Sequence, residues 1–253
     1  MTITTDMTTA TATQAQQTER RFSMFTLPLF RKKYRTAQLM PHGTDTHCHL
    51  LPQTDDGTDN EEAALALIRA MKSRGLQGCI CTPHISLKYP ANTPTLLRNR
   101  FYRLRRLVAE KHPDFDLQLS AEYMMDERFA QLLDGSELLS WPAPGQHTPH
   151  LLVELSPVYP IGGWADLLTA IRQRGYTPVL AHPERYCRFL DLNELMKLHR
   201  KGIRFQGNIG STEGFYGESV RQLCLRLSAE GLYSWWGSDA HSAAGFNALP
   251  LRK

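Results

Sequence analysis

The sequence lacks several features that would place it in other classes of protein. It has no run of 18 apolar residues, so we expect no transmembrane helix. The polar, threonine-rich start has no apolar core of the kind found in signal peptides. The five cysteines are scattered without C-x-x-C spacing, which is typical of reduced thiols and predicts a cytoplasmic protein.

The chain also lacks an excess of charge over most of its length. Its net charge of +4 is accounted for by residues 1–40, which hold six basic and two acidic side chains. The remainder sums to zero, so there is no global basic signature for nucleic acid. We predict a flexible N-terminal extension over 1–40, threonine-rich and then basic, and one domain over 41–253.

From residue 41 onward, strand and helix patterns alternate. Short, mostly apolar strands are predicted at 44–49, 78–83, 117–123, 151–155, 177–182, 203–209 and 234–239. Helices are predicted between them at 60–74, 94–111, 162–174, 191–201 and 216–231. Seven strands with intervening helices favour an α/β fold in which the strands form a closed or nearly closed barrel. In such barrels the chemistry lies at the carboxyl ends of the strands.

Potential metal ligands occur at the end of almost every predicted strand. His47 and His49 are two apart, so a strand points both imidazoles to one face. The following strands end at His84, Glu122, Glu154, His182 and Asn208, and the last reaches Asp239 and His241, while Asp56 follows the first strand across a turn. Histidines and carboxylates without thiolates suit manganese, iron or zinc. Because one ion takes four to six ligands, the set predicts two or three ions, which would activate a water for hydrolysis.

Six motifs in order resemble a known family. They are TDTHCHLLPQTDDG (44–57), CTPH (81–84), SAEYMMD (120–126), LLVELS (151–156), PVLAHPERY (178–186) and GSDAH (237–241). Together they resemble the polymerase-and-histidinol-phosphatase (PHP) superfamily, and within it the bacterial tyrosine-protein phosphatases of capsule and exopolysaccharide operons. The resemblance implies a distorted (β/α)7 barrel over the domain at 41–253 and a trinuclear site that usually depends on Mn²⁺.

The resemblance also implies a role for each matching residue. The first metal would take His47, His49, Glu122 and Asp239; Glu122 would bridge to a second, held also by Glu154 and His182; Asp56, His84 and His241 would take the third. Arg185 matches the arginine that binds phosphate, and Arg185, Asp56 and His241 are the predicted catalytic residues. The arginine that family members carry after the last histidine has no counterpart here before Arg252.

The function implied is hydrolysis of phosphotyrosine on a tyrosine autokinase of polysaccharide export. The alternatives are a PHP-type phosphoesterase acting on histidinol phosphate, another small phosphomonoester or a nucleic-acid 3′ end, and a regulator that has lost turnover. A common phosphotyrosine phosphatase mechanism uses a cysteine six positions before an arginine, and no cysteine here has that partner. We therefore predict attack by metal-activated water without a covalent phosphoenzyme.

Overall fold

The computed structural model of the chain describes residues 34–135, 137–142, 148–156, 158 and 160–253. Most of the predicted N-terminal extension, residues 1–33, lies outside the described residues. Residues 34–40 contact the rest of the protein: Tyr34–Arg35 pairs with Leu251–Arg252, and Leu39 and Met40 are buried. The division of the chain at residue 40 stays a prediction.

The described residues alternate between strands and helices. The strands are β1 Tyr34–Arg35, β2 Thr44–Cys48, β3 Gly78–Cys81, β4 His84–Ile85, β5 Asp116–Leu119, β6 Glu122–Met124, β7 Trp141–Pro142, β8 Pro149–Glu154, β9 Thr177–Ala181, β10 Arg204–Asn208, β11 Tyr233–Gly237 and β12 Leu251–Arg252. The helices are α1 Thr36–Leu39, α2 Glu61–Ser73, α3 Pro94–Lys111, α4 Glu127–Gly135, α5 Trp164–Gln173, α6 Leu192–Arg200, α7 Glu218–Ala229 and α8 Ala243–Ala248. Two 3₁₀ turns follow β9 and β10, at Pro183–Tyr186 and Ile209–Glu213.

The long helices begin and end where the sequence predicts. Asn60 caps α2, because its side chain accepts a hydrogen bond from the Ala63 N–H, and Gly75 (φ 87°) follows its end in the left-handed conformation. Thr93 caps α3 in the same way, directly before Pro94. The apolar stripe of α3, Leu97, Phe101, Leu104 and Val108, is buried. Helices α1, α4 and α8 have no counterpart among the predicted helices.

The parallel α/β arrangement is confirmed, whereas a closed barrel is not. In the described part of the chain, β11-β10-β9-β8-β6-β4 form one parallel sheet, with β7 antiparallel on β8, and β2-β3-β5 form a second parallel sheet. The predicted strand 78–83 splits into β3 and β4 around Pro83, which has no N–H to continue a ladder. Its neighbour at 117–123 divides at the same level, into β5 and β6.

Alternation along β8 separates an outer face from an inner one. Leu151 and Val153 join the large outer core that the helices cover, while Leu152 belongs to a small inner cluster with Ile80, Trp141, Val179 and Ala181. His150 and Glu154 share the parity of Leu152, so they lie on the inner face at opposite ends of the strand. None of the helices in the described part of the chain is long and apolar enough to cross a bilayer.

Candidate functional site

All nine predicted ligands meet at the carboxyl ends of the parallel strands. Their nitrogen and oxygen atoms fall into four overlapping groups, each within 4.8 Å: His49, Asp56, His84 and His241; His47, His49 and Asp239; His47, Glu122 and His182; His84, Glu122 and Glu154. These groups only partly follow the predicted division among three ions. His49 joins the Asp56 group, and His84 faces two groups, with Nδ1 3.0 Å from Glu154 Oε1 and Nε2 3.6 Å from Asp56 Oδ1.

Glu122 lies at the centre of the cluster. Its Oε2 is 3.2 Å from His47 Nε2, 3.5 Å from His49 Nε2 and 3.2 Å from His84 Nδ1. Despite these neighbours, Oε2 is buried and has no hydrogen-bond partner among the described residues. Ligand atoms about 2.1 Å from a shared ion lie about 3.0–3.4 Å apart. The spacing and the unpartnered carboxylate oxygen therefore fit a bound cation better than a hydrogen-bond network.

The second nitrogen of several histidines is held by a partner that the sequence did not reveal. His49 Nδ1 lies 2.8 Å from Asp55 Oδ2, and His47 Nδ1 lies 2.9 Å from Gln206 Oε1. His241 Nδ1 can donate to the carbonyl oxygen of Asp239 at 2.9 Å. With Nδ1 as the donor, each ring turns an unprotonated Nε2 towards the cluster, as metal-binding histidines do. Neither Asp55 nor Gln206 stands at a spacing from the predicted ligands that would distinguish it in the sequence. The usable signal for Asp55 was its position directly before the predicted ligand Asp56.

The electrostatics of the cluster favour positive charge. Burial by itself lowers the pKa of His47, but the Glu122 and Asp239 carboxylates outweigh burial and raise this pKa to about 9. Burial raises the pKa of Asp239, yet His47 and His49 outweigh it and hold this pKa well below its ordinary value. A bound divalent cation would neutralise the same carboxylates, so the donor set fits a metal.

The backbone is strained at two of the ligands. His182 (φ 34°) and Asp239 (φ 52°) adopt left-handed conformations, which are uncommon for residues other than glycine and concentrate at functional sites. Just before Asp239, Gly237 lies against the side chains of Gln206 and His47, where a Cβ atom would clash. Glycine is therefore required beside the Gln206–His47 contact, and the strand end is fixed in position.

Two cationic side chains line the opening of the site. The cavity has a volume of about 390 Å³ and is lined by seven of the nine predicted ligands, all except His47 and His49, together with Arg185, Lys88 and Tyr89. Arg185 Nη1 lies 3.1 Å from Asp239 Oδ2, and its guanidinium stacks over the Tyr216 ring at 4.7 Å. Lys88 Nζ lies 3.1 Å from Asp56 Oδ2. Both cations can reach an anion that enters above the ligands, and sequence reasoning missed Lys88.

Comparisons with known proteins identify relatives of this chain. The sequence profile of the family described as capsular polysaccharide synthesis, CpsB/CapC, matches residues 43–246. The chain is 30% identical to the tyrosine-protein phosphatase YwqE of Bacillus subtilis over 206 residues, covering 78% of this chain and 77% of YwqE. It is 26% identical to CapC of Staphylococcus aureus over 200 residues, covering 78% of this chain and 76% of CapC.

A crystal structure shows the same likeness in three dimensions. It comes from work on YwqE of Bacillus subtilis and CpsB of Streptococcus pneumoniae, described there as unique metal-dependent tyrosine phosphatases. That chain superposes with a TM-score of 0.71 at 28% identity, and the match covers 81% of each chain. The segment matched by the family profile, residues 43–246, contains all nine predicted ligands.

Proposed function

The chain belongs to the CpsB/CapC family of capsular polysaccharide synthesis, and on this premise we propose that it is a metal-dependent protein-tyrosine phosphatase. The observation that carries the proposal is the convergence of nine histidine and carboxylate side chains beneath two cations. A carboxylate-rich floor repels a phosphate unless cations are bound there, whereas Arg185 and Lys88 attract it. An anion-accepting metal site is the arrangement that satisfies both observations.

We assign the ligands to two or three divalent ions. His47, His49, Glu122 and Asp239 would hold one ion, and Glu122, Glu154 and His182 would hold a second. Asp56, His84 and His241 would hold a third, and His49 also lies close to them. Manganese is the proposed metal, and iron or zinc suits the same donors. Bound ions of this kind acidify a water for attack on phosphorus and neutralise the phosphate charge.

Arg185 positions the phosphate in this proposal. Its contact with Asp239 and its stacking on Tyr216 fix the guanidinium, so its planar fork can hold two phosphoryl oxygens as their charge redistributes. Lys88, which contacts Asp56 Oδ2, supplies the second cationic contact in place of the arginine that is missing after His241. The leaving tyrosine has a phenol pKa of about 10, which lowers its need for protonation compared with an alkyl alcohol. Hydrolysis of an aryl phosphate therefore depends less on an acid group in the site than hydrolysis of an alkyl phosphate does.

The half-exposed residues Asp56 and His241 complete the catalytic set. His241 Nε2 lies 3.5 Å from Asp56 Oδ1, and their side chains are 35% and 48% exposed, respectively. They stand where the substrate enters, whereas Glu122 and His47 are closed off from solvent. We assign Asp56 and His241 to the phosphate-facing side of the site.

Backbone contacts support a distorted (β/α)7 barrel. At one junction, the His49 N–H donates to the Ala240 carbonyl and the Asp239 N–H to the His47 carbonyl, both at 2.9 Å, which joins β2 to the end of β11. At the other, the Ser120 N–H donates to the Cys81 carbonyl at 2.9 Å, between the interrupted strands. If β3 is counted with β4 and β5 with β6, these bonds support the proposal that seven strand positions form the barrel.

The proposed substrate is phosphotyrosine on a tyrosine autokinase of polysaccharide export. The family's description as capsule-synthesis proteins supports this partner. We place the reaction in the cytoplasm, since all five cysteines are free thiols. Nucleic acid is not a proposed substrate.

Rates on three substrates test the function. Protein purified without chelator and supplied with Mn²⁺ should hydrolyse a phosphotyrosine peptide with a higher kcat/KM than histidinol phosphate or a 3′-phosphorylated oligonucleotide. Arg185→Ala should lose about 100-fold in kcat/KM, comparable to one strong transition-state contact. A preference for histidinol phosphate would assign the alternative function, and no hydrolysis of any phosphomonoester by metal-loaded protein would contradict both.

A further inference from the structure

Most of the exposed apolar side chains in the described part of the chain lie on loops close to residues of the metal site. Among the described residues, the large apolar or aromatic side chains that stand out as exposed are Leu87 (57%), Tyr102 (59%), Val158 (81%), Phe215 (50%) and Tyr216 (39%). All except Tyr102 lie on loops that follow the carboxyl ends of β4, β8 and β10. Exposed apolar residues scattered singly need no explanation, but a group around one opening points to a binding surface.

Each of these loops is tied to the cavity. The Leu87 N–H donates to Asp126 Oδ2 at 2.8 Å, and Asp126 lines the cavity. The Val158 N–H lies 3.4 Å from Ser156 Oγ, another lining residue. The third loop reaches the cavity through Tyr216, which stacks on the Arg185 guanidinium. Three loops from separate strands thus carry exposed apolar side chains next to residues of one cavity.

Tyr216 and its neighbour Phe215 have different roles. The Tyr216 ring supports Arg185, and its hydroxyl accepts a hydrogen bond from Asn208 Nδ2 at 3.0 Å. Phe215 has a backbone bond to Gly210, and half of its side chain is exposed. Among the described residues, its exposed ring orients no metal ligand and supports no cation, so it is available to contact a substrate.

We propose that Leu87, Val158 and Phe215 form an apolar rim that binds apolar side chains on either side of the phosphotyrosine in a polypeptide substrate. This inference rests on the proposed phosphatase activity. Leu87 and Val158 are each hydrogen-bonded through the backbone to a residue that lines the cavity, and Phe215 precedes the residue that stacks on Arg185. A polypeptide whose phosphotyrosine enters the cavity therefore passes close to all three loops. A small phosphomonoester is too short to touch all three loops, and it gains nothing from the rim.

Matched peptides and variants test the rim. The substrates are a phosphotyrosine peptide with leucine and valine on both sides, the same peptide with serine at those positions, and p-nitrophenyl phosphate. The variants are Leu87→Ser/Val158→Ser/Phe215→Ser in one chain and the control Tyr102→Ser, which changes an equally exposed residue on α3. Melting temperatures should stay close to that of the unchanged protein, because all these side chains are exposed.

The unchanged protein should show a KM at least about 10-fold lower for the apolar peptide than for the serine peptide. The triple variant should lose most of that preference through a higher KM for the apolar peptide. Its kcat/KM for the apolar peptide should fall about 10-fold more than its kcat/KM for p-nitrophenyl phosphate. Tyr102→Ser should keep the preference.

Three outcomes would overturn the rim. One is an equal KM of the unchanged protein for both peptides. Another is an unaltered preference of the triple variant for the apolar peptide. The third is a rim that only joins two copies of the chain, seen as an oligomer that the triple variant dissociates without losing peptide preference. All three leave the phosphatase activity standing, whereas failure to hydrolyse any phosphotyrosine peptide overturns the proposed function itself.

Discussion

Asp55 Oδ2 lies 2.8 Å from His49 Nδ1 and also accepts a hydrogen bond from the His84 backbone N–H at 2.9 Å. One carboxylate therefore orients a histidine at the centre of the cluster and fixes the backbone of another. Burial raises the pKa of Asp55, but His49 outweighs it and lowers this pKa to about 2, so the carboxylate stays ionised near neutral pH. Asp55 is a positioning residue, since its own oxygens are engaged away from the cavity.

We predict that Asp55→Ala weakens metal binding. Without the carboxylate, the His49 ring is free to rotate, and loss of such a partner typically costs about 10–100-fold in metal affinity. Mn²⁺ titration followed by calorimetry measures the affinity, and excess Mn²⁺ should restore much of the activity. Asp59→Ala, an exposed aspartate in the same loop, is the control and should bind as the unchanged protein does. Equal affinity in Asp55→Ala would remove its positioning role.

Lys88→Met should lower kcat/KM for a phosphotyrosine peptide by about 10-fold, chiefly by raising KM. Lys88 is exposed at the opening, where it attracts the phosphate but contributes less than a buried contact. Steady-state kinetics at two salt concentrations measure the effect, which should shrink at high salt. Lys111→Met removes a similarly exposed lysine at the end of α3 and should change neither parameter. The same loss in both variants would show only a general charge effect.

Replacing all five cysteines by alanine should preserve turnover. Cys48, Cys79, Cys81 and Cys224 are buried, and Cys187 is partly buried. Stability should fall because the replacements leave small cavities, so rates must be compared per folded, metal-loaded molecule. If one single cysteine variant is inactive while folded and metal-loaded, or acid quench traps a phosphocysteine, the mechanism by metal-activated water is wrong.

His150 should make the stability of the domain depend on pH. It lies on the inner face of β8 between Trp141 and Trp235, with both ring nitrogens unpartnered among the described residues. Burial and, to a lesser extent, the charge of nearby Arg204 lower its pKa to about 4. The unfolded chain binds the proton below a pH of about 6.5, so this stability is complete above that pH and is lost as the pH falls towards 4.

At pH 5 the loss amounts to about 2 kcal/mol of unfolding free energy. Denaturant unfolding of the unchanged protein and of His150→Leu, at pH 7.5 and pH 5, measures it. Between pH 7.5 and pH 5, the unfolding free energy of the unchanged protein should fall by about 2 kcal/mol more than that of the variant. Because both proteins have the same metal site, the effect of pH on that site drops out of the comparison. Equal losses would show that His150 is protonated as readily in the folded protein as in the unfolded chain.

Local patterns in the sequence predict individual helices and strands better than they predict how the strands pair and where they are interrupted. Thr93–Pro94 marks the start of α3, and Asn60 caps α2, because these signals act over a few residues. The interruption of the strand at Pro83 cannot be predicted unless the neighbouring strand is known. The missing N–H interrupts a strand only where it would have bonded to that neighbour. Prediction of the short helix α8 failed because six residues give little periodicity.

The same distinction holds at the site. His47 and His49 could be paired because a strand places i and i+2 on one face. Gln206 could not be found, since its contact with His47 joins residues 159 positions apart and depends on how the strands are ordered. The division of ligands among ions is also beyond the pattern: His84 turns one nitrogen to each of two groups, and only the fold decides where its ring lies.

The metal content of active protein tests the central claim most directly. Protein purified without chelator should contain two to three transition-metal ions per chain by elemental analysis. Chelation should remove them together with phosphotyrosine hydrolysis, and Mn²⁺ should restore the rate best. Full phosphatase activity in protein from which elemental analysis shows every ion to have been removed would contradict the account.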